Sequence, residues 1–125
     1  MSEGTDQQND VVFRSDMTVE LVRAAAQDGD VVFAARVSTQ GEKTLASAGE
    51  DASARDRGLI RYLMRDRHGS PFEHNSFTFY VQAPIFVFRE FMRHRIASYN
   101  EESGRYREMR PVFYVPARER NLVQV

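Results

Sequence analysis

The apolar pattern changes period midway through the chain, and that change restricts the fold more than any other feature. Over residues 55–67, Leu59, Ile60, Leu63 and Met64 recur at helical spacing and share one face. Shortly after, Phe77-Thr78-Phe79-Tyr80-Val81-Gln82 alternates with period two and is rich in aromatics, which is a strand pattern. Gly69 and Pro71 lie between the two and end the helix. Pro84 then suits the start of another helix. Ile85, Phe88, Phe91 and Met92 form a core-facing stripe on it, with Arg89, Glu90 and Arg93 on a different face. No regular β-α-β alternation is present. The expected fold class is therefore α+β, an antiparallel or mixed β-sheet with helices packed on it, rather than a doubly wound parallel sheet.

The remaining segments give shorter signals. Residues 1–10 are polar and acidic and are expected to be a disordered N-terminal tail, with a single domain over residues 11–125. Val11-Val12-Phe13 reads as a short strand. Asp16 or Thr18 is placed to cap a helix over residues 19–27, with Leu21 and Val22 on its apolar face. Asp28-Gly29-Asp30 is expected to stop that helix, and Asp30 to cap a second one over residues 31–37. Residues 40–53 and 98–104 read as loops, and residues 110–115 as a strand interrupted by Pro111.

Composition excludes several classes. The formal net charge is −1, so no global field points to nucleic acid or to an anionic membrane. With no cysteine, disulfides, zinc-thiolate sites and thiol nucleophiles are excluded within the chain. No apolar run approaches the roughly 20 residues that span a bilayer. The start of the chain lacks the apolar stretch of a signal peptide, and a cytoplasmic location is expected.

Chemistry concentrates in residues 93–106. Arg93, His94, Arg95, Ser98, Asn100, Glu101, Glu102, Ser103 and Arg105 crowd into this one stretch. Guanidinium groups match phosphate oxygens in two-point fashion. Serine, asparagine and glutamate can read sugar hydroxyls and heterocycle edges, and Ser103-Gly104 lets backbone approach a ligand. A site for a phosphorylated, nucleotide-like anion is implied. Helical neighbours point about 100° apart, so Arg93 and Arg95 are expected to serve two pockets or two subunits. A glutamate facing a phosphate would repel it. Glu101 therefore meets ribose hydroxyls or pairs with an arginine, while Arg105 is the best candidate for the phosphate. Ser103 has no histidine at a revealing spacing and serves hydrogen bonding rather than nucleophilic attack. His68 either caps the preceding helix or contributes to a ligand site. His68, Glu73, His74 and His94 fit no compact ligand motif, so no metal is expected.

Residues 93–105 resemble the motif R-H-R-x-x-S-x-N-E-x-S-x-R of the flavin-dependent thymidylate synthases, and every fixed position is met. His68-Gly69-Ser70-Pro71-Phe72-Glu73-His74 is similar to that family's H-x-[ST]-x-x-E-H segment, and Phe77-Thr78-Phe79 and Ala83-Pro84-Ile85-Phe86 extend the likeness over residues 31–106. The resemblance implies FAD as cofactor, contacted by His68, Ser70, Arg93, His94, Arg95 and Glu101. It implies dUMP as substrate, bordered by Glu90, Phe91, Met92 and Arg93 and by Glu101, Glu102, Ser103, Gly104 and Arg105. Methylenetetrahydrofolate would supply the carbon and NADPH the reducing power, in a homotetramer whose sites are shared between subunits, with His68 and Ser70 reaching across from a neighbour. Members are about twice this long, so the chain is expected to be the N-terminal part of such a domain. The arginine that helps ionise the uracil ring would lie beyond Val125, and no catalytic residue is assigned within the chain. The competing reading is a non-catalytic nucleic-acid-binding module built on residues 89–110 with Tyr99, Tyr106, Phe113 and Tyr114, or an inactive fragment with an assembly role. Interleaved glutamates and the near-neutral charge oppose a nucleic-acid partner, and no membrane partner is expected.

Overall fold

Asp28, Gly29 and Asp30 open a helix instead of closing one, and the N-terminal half of the fold follows from that. The computed structural model describes residues 10–123. The expected disordered tail, residues 1–10, lies outside the described residues except for Asp10. In chain order the elements are β1 (Val12–Arg14), β2 (Thr18–Ala25), α1 (Asp28–Gln40), a 3-10 helix (Gly41–Ser47), α2 (Asp56–Arg65), a second 3-10 helix (Ser70–His74), β3 (Ser76–Gln82), α3 (Ile85–Phe91) and β4 (Val112–Tyr114). The expected α+β mixture is present. The strands form two two-stranded sheets, β1 with β4 and β2 with β3. Among the described residues, chain contacts divide the molecule into two compact units, residues 20–80 and residues 10–19 with 81–123.

Within residues 20–80, α1 packs on both 3-10 helices and on α2. Asp28 and Asp30 sit in its first turn, where carboxylates favour the positive end of the helix dipole. This is why they start the helix, and why Asp30 is not the cap of a later one. Gly29 is buried, and a Cβ there would stand 1.9 Å from the Glu50 carbonyl oxygen, so its role is close backbone approach. Val31 and Val32 follow on α1 and, with Leu63 of α2, are buried apolar residues. Gly41, at φ 54°, turns the chain out of α1 in the left-handed region that side chains disfavour. The expected loop over residues 40–53 therefore contains a 3-10 turn, in which Thr44 is buried with its hydroxyl unpartnered.

A reciprocal cap starts α2. The Ser53 backbone N–H and hydroxyl both donate to the Asp56 carboxylate, at 2.9 and 2.7 Å, while the Asp56 N–H donates to Ser53 Oγ at 3.3 Å. This Ser-x-x-Asp arrangement satisfies donors that a helix start otherwise leaves open. Arg36 of α1 forms an ion pair with the same carboxylate. The Ser53 donors, with Arg36 assisting, hold the Asp56 carboxyl below the ordinary aspartate value.

The helix expected over residues 19–27 is instead the strand β2. Val19 and Leu21 alternate with Glu20, Thr18 and Val22 are β-branched, and pairing with β3 is available. Asp16 does not cap a helix; it receives a two-point contact from the Arg14 guanidinium at 3.0 and 2.9 Å, which lowers its pKa. On β3, Phe77 and Phe79 point the same way, their rings 6.1 Å apart.

In the other unit, β1 and β4 run parallel with Val12 opposite Val112, Phe13 opposite Phe113 and Arg14 opposite Tyr114. The Val12 N–H donates to the Pro111 carbonyl at 2.9 Å, and the Val115 N–H to the Arg14 carbonyl at 2.8 Å. Phe13 and Phe113 bring their rings to 6.1 Å across the pair. Phe86 of α3 meets the Tyr114 ring edge-on at 5.9 Å, tying the helix to the strand pair.

Candidate functional site

Pro84 sets the direction of α3. Its carbonyl accepts from Val87 and Phe88 at 3.0 and 3.4 Å, and its ring fixes φ at −58° before the first helical residue. The helix lasts only to Phe91. The Met92 N–H still reaches four residues back, to Phe88 at 2.9 Å. The Arg93 and His94 N–H groups reach only three back, to Glu90 at 3.2 Å and Phe91 at 3.1 Å. Arg93, His94 and Arg95 thus occupy an exposed turn beyond the helix, so the expected 100° helical spacing between them does not apply.

Tyr99 secures that turn, and the motif gave no sign of it. Its hydroxyl lies 3.1 Å from the Phe91 carbonyl and 2.9 Å from the His94 carbonyl. Its ring stands edge-on to Phe91 at 5.6 Å, and Phe91 lies 6.3 Å from the His94 ring. Only the structure reveals this, because the contacts join main-chain atoms that any sequence would supply.

The stripe expected to be core lines a hollow instead. Ile85, Phe88, Arg89, Met92 and Glu101 surround a hollow of about 90 Å³. Phe88 and Met92 are half-buried, while Ile85 remains 64% exposed. The segment facing them carries the carboxylate of Glu101, which cannot close over apolar side chains without losing its hydration. Arg89 was expected on another face, yet it borders the same hollow. Neither Arg89 nor Glu101 has an ion pair among the described residues, so the expected pairing of Glu101 with an arginine is not made.

The loop after Ser98 is ordered by local bonds. Ser103 Oγ accepts the Arg105 N–H at 3.2 Å, and the Ser103 carbonyl accepts the Tyr106 N–H at 3.1 Å. Glu102 pairs with Arg107 at 3.2 Å, and Glu90 approaches Arg93 at 3.9 Å with both side chains largely in solvent. Arg105 lies over the Tyr106 ring at 5.8 Å, and neither it nor Arg95 has a carboxylate partner among the described residues. At Gly104 an added Cβ would meet only the Met109 side chain, at 3.5 Å, so the chain's own packing does not demand glycine there.

His68 and Ser70 belong to the unit of residues 20–80. The end of α2 is a Schellman turn: the His68 N–H donates to Leu63 at 2.9 Å and the Arg67 N–H to Met64 at 3.2 Å, with Arg67 at φ 56°. The helix therefore ends at Arg65, and the left-handed Arg67 turns the chain away ahead of the expected Gly69 and Pro71. Its carbonyls are met by the backbone of His68, which frees the imidazole from the capping role considered for it. That ring stacks on Tyr62 at 6.0 Å, and Arg65 sits 5.2 Å over the same Tyr62 ring. Arg65 also grips Asp66 at 2.9 and 3.2 Å; chiefly through this bond, and secondarily through His68 nearby, the Asp66 carboxyl stays below its ordinary value. Ser70 begins the following 3-10 helix and is exposed. Among the described residues, no three of His, Asp and Glu gather as potential metal ligands, and no helix is long and apolar enough to cross a membrane.

The site is a turn bearing arginines beside an apolar hollow, on an α+β scaffold. The chain belongs to the thymidylate synthase complementing protein family, whose model matches residues 20–124. It is 69% identical over 115 residues to a flavin-dependent thymidylate synthase of Streptomyces coelicolor, covering 91% of this chain and 46% of the relative. It is 63% identical over 116 residues to one from Tropheryma whipplei, covering 93% of this chain and 48% of the relative. Among solved structures, a UMP/dUMP methylase PolB from Streptomyces cacaoi bound with 5-Br dUMP superposes with a TM-score of 0.77 at 60% identity, covering 86% of this chain and 44% of the other. The chain thus spans about half the length of the curated relatives it matches.

Proposed function

We propose that the chain carries the flavin- and nucleotide-binding segment of a thymidylate synthase that converts dUMP to dTMP. Methylenetetrahydrofolate would supply the carbon, and FAD with NADPH the reducing power. The assembly is a cytoplasmic homotetramer in which His68 and Ser70 complete the FAD pocket of a neighbouring subunit. The observation that carries this reading is the exposed run of residues 93–105, in which Arg95 and Arg105 have no carboxylate partner among the described residues and the backbone is already ordered by local bonds.

The residues present fit both guests. Phe88, Met92 and Ile85 offer an apolar surface for the face of a ring. Arg93, His94 and Arg95 offer donors to the phosphates and ring edge of FAD, and Arg105 to the phosphate of dUMP. Glu101, on the rim of the hollow, is an acceptor suited to ribose hydroxyls and ring N–H groups, and its charge keeps phosphates elsewhere. Glu90, Phe91, Glu102, Ser103 and Gly104 border the nucleotide. Once bound, FAD supplies the redox chemistry. The protein's share is to hold the rings in line and to limit water between them. This explains a site dense in binders and lacking a nucleophile.

The test is spectroscopic. Purified protein mixed with FAD and freed of excess by gel filtration should be yellow, and dUMP should perturb the flavin spectrum with saturation. Arg105→Ala should retain FAD but lose about 1.5–3 kcal/mol of dUMP affinity. A colourless protein after FAD loading, or dUMP affinity unchanged by Arg105→Ala, overturns the assignment.

A further inference from the structure

Tyr99 stands outside the flavin and nucleotide sets, yet it touches the segment that joins them. The turn after α3 has few bonds of its own: the Arg93 and His94 N–H groups reach back at 3.2 and 3.1 Å, and the Ala97 N–H reaches His94 at 3.4 Å. A chain end held this weakly lets long guanidinium side chains wander. The Tyr99 hydroxyl changes that, because its one proton is shared between the Phe91 and His94 carbonyls, at 3.1 and 2.9 Å. Those carbonyls bracket Met92 and Arg93. The half-buried Tyr99 ring, edge-on to Phe91 at 5.6 Å, anchors the hydroxyl from behind.

We propose that Tyr99 is a positioning residue: its hydroxyl clamps the Phe91 and His94 carbonyls and so fixes the direction in which Arg93 and His94 leave α3 toward the flavin and the nucleotide. This rests on the proposed binding role of that turn. Tyr99 makes its contacts with the turn and with Phe91 of α3. It acts by removing backbone freedom that binding would otherwise have to remove, which is preorganisation.

Tyr99→Phe keeps the ring and deletes the clamp. Tyr114→Phe is the matched control, since it deletes a hydroxyl that accepts from Arg120 Nη1 at 2.7 Å in the same unit but away from the turn. FAD titrations and hydrogen–deuterium exchange over residues 92–98 are measured for both variants and for the unaltered protein. The expected result for Tyr99→Phe is a roughly three- to tenfold rise in FAD Kd, the worth of one neutral hydrogen bond, with a shifted flavin absorption band and faster local exchange. Tyr114→Phe should leave all three unchanged. Equal losses in the two variants, or faster exchange with unaltered FAD affinity, reduce Tyr99 to a general structural role and overturn the proposal. If the unaltered protein binds no FAD, it is the proposed function that falls. Exchange then decides the clamp alone, and an unaltered rate in Tyr99→Phe refutes it.

Discussion

Replacing Gly29 with alanine sets two effects against each other, and the structure says which wins. Both Gly29 and Gly58 lie in helices, where alanine is favoured over glycine by about 1 kcal/mol. At Gly58 a Cβ meets nothing within 4 Å, so that gain stands unopposed. At Gly29 the Cβ would lie 1.9 Å from the Glu50 oxygen, 3.0 Å from its carbonyl carbon and 3.2 Å from the Asp51 Cα. Ordinary contact begins near 3.4 Å, so the overlap on the oxygen is about 1.5 Å, and all three atoms are backbone. A side chain could swing aside; main chain held against α1 has to move as a segment. Overpacking of this sort costs roughly 1–3 kcal/mol or more. With the clash at the upper end and the propensity gain subtracted, Gly29→Ala should lose about 2 kcal/mol net, while Gly58→Ala gains up to about 1 kcal/mol. For a domain of this size that is a fall in Tm of roughly 10 °C against a rise of a few degrees. Thermal unfolding followed by circular dichroism reads both. Equal stabilisation of the two variants would show that Glu50 and Asp51 do not bear on α1, and would refute the packing described.

Three further outcomes follow from local geometry. Arg67→Gly removes a side chain from a left-handed backbone position at φ 56° and should raise stability by roughly 1 kcal/mol in urea unfolding; a loss would mean that the arginine side chain contributes more than its strain. The lowered carboxyls of Asp56, Asp16 and Asp66 contribute stability that is complete above the ordinary aspartate value of 3.8 and is lost as pH falls through their lower folded values. Acid unfolding of Asp56→Asn should therefore be less steep below about pH 4 than that of the unaltered protein, and identical acid limbs would remove the Ser53–Asp56 cap from the account. Gly104→Ala should leave the melting curve in place, because only the flexible Met109 side chain is met, while weakening dUMP binding if backbone approaches the nucleotide there; unchanged binding in a flavin-perturbation titration would place the nucleotide elsewhere.

Local patterns were legible where one interaction dominates. The face of Leu59, Ile60 and Leu63 marks α2, and the alternation of Phe77, Phe79 and Val81 marks β3, to within a residue or two of their observed ends. The strand expected from Val11 to Phe13 and the one expected near Pro111 both exist, but nothing local says that they pair with each other in parallel. Residues 18–25 show how a weak signal is overruled. Leu21 and Val22 suit a helix face about as well as Val19 and Leu21 suit a strand, and the availability of β3 as partner decides. At Asp28-Gly29-Asp30 the residues themselves were ambiguous, since carboxylates and glycine serve both as stops and as a first turn. The close approach of Gly29 to Glu50 settles the matter from a distant part of the sequence. The Ser53–Asp56 cap, by contrast, is written in the chain as Ser-x-x-Asp.

The site divides along the same line. The amino-acid order alone determined which chemistry is gathered, because guanidinium, imidazole, carboxylate and hydroxyl groups are covalent properties of residues 93–105, and the spacing that marks the family is linear. Tertiary structure decided how that chemistry is presented: a helix that ends at Phe91, a hydroxyl from Tyr99 holding the turn beyond it, and an apolar stripe that lines a hollow instead of a core. Those outcomes depend on which atoms meet after the chain has folded back on itself. Main-chain carbonyls and empty space take part in them as fully as side chains do, and neither is spelled out in a sequence.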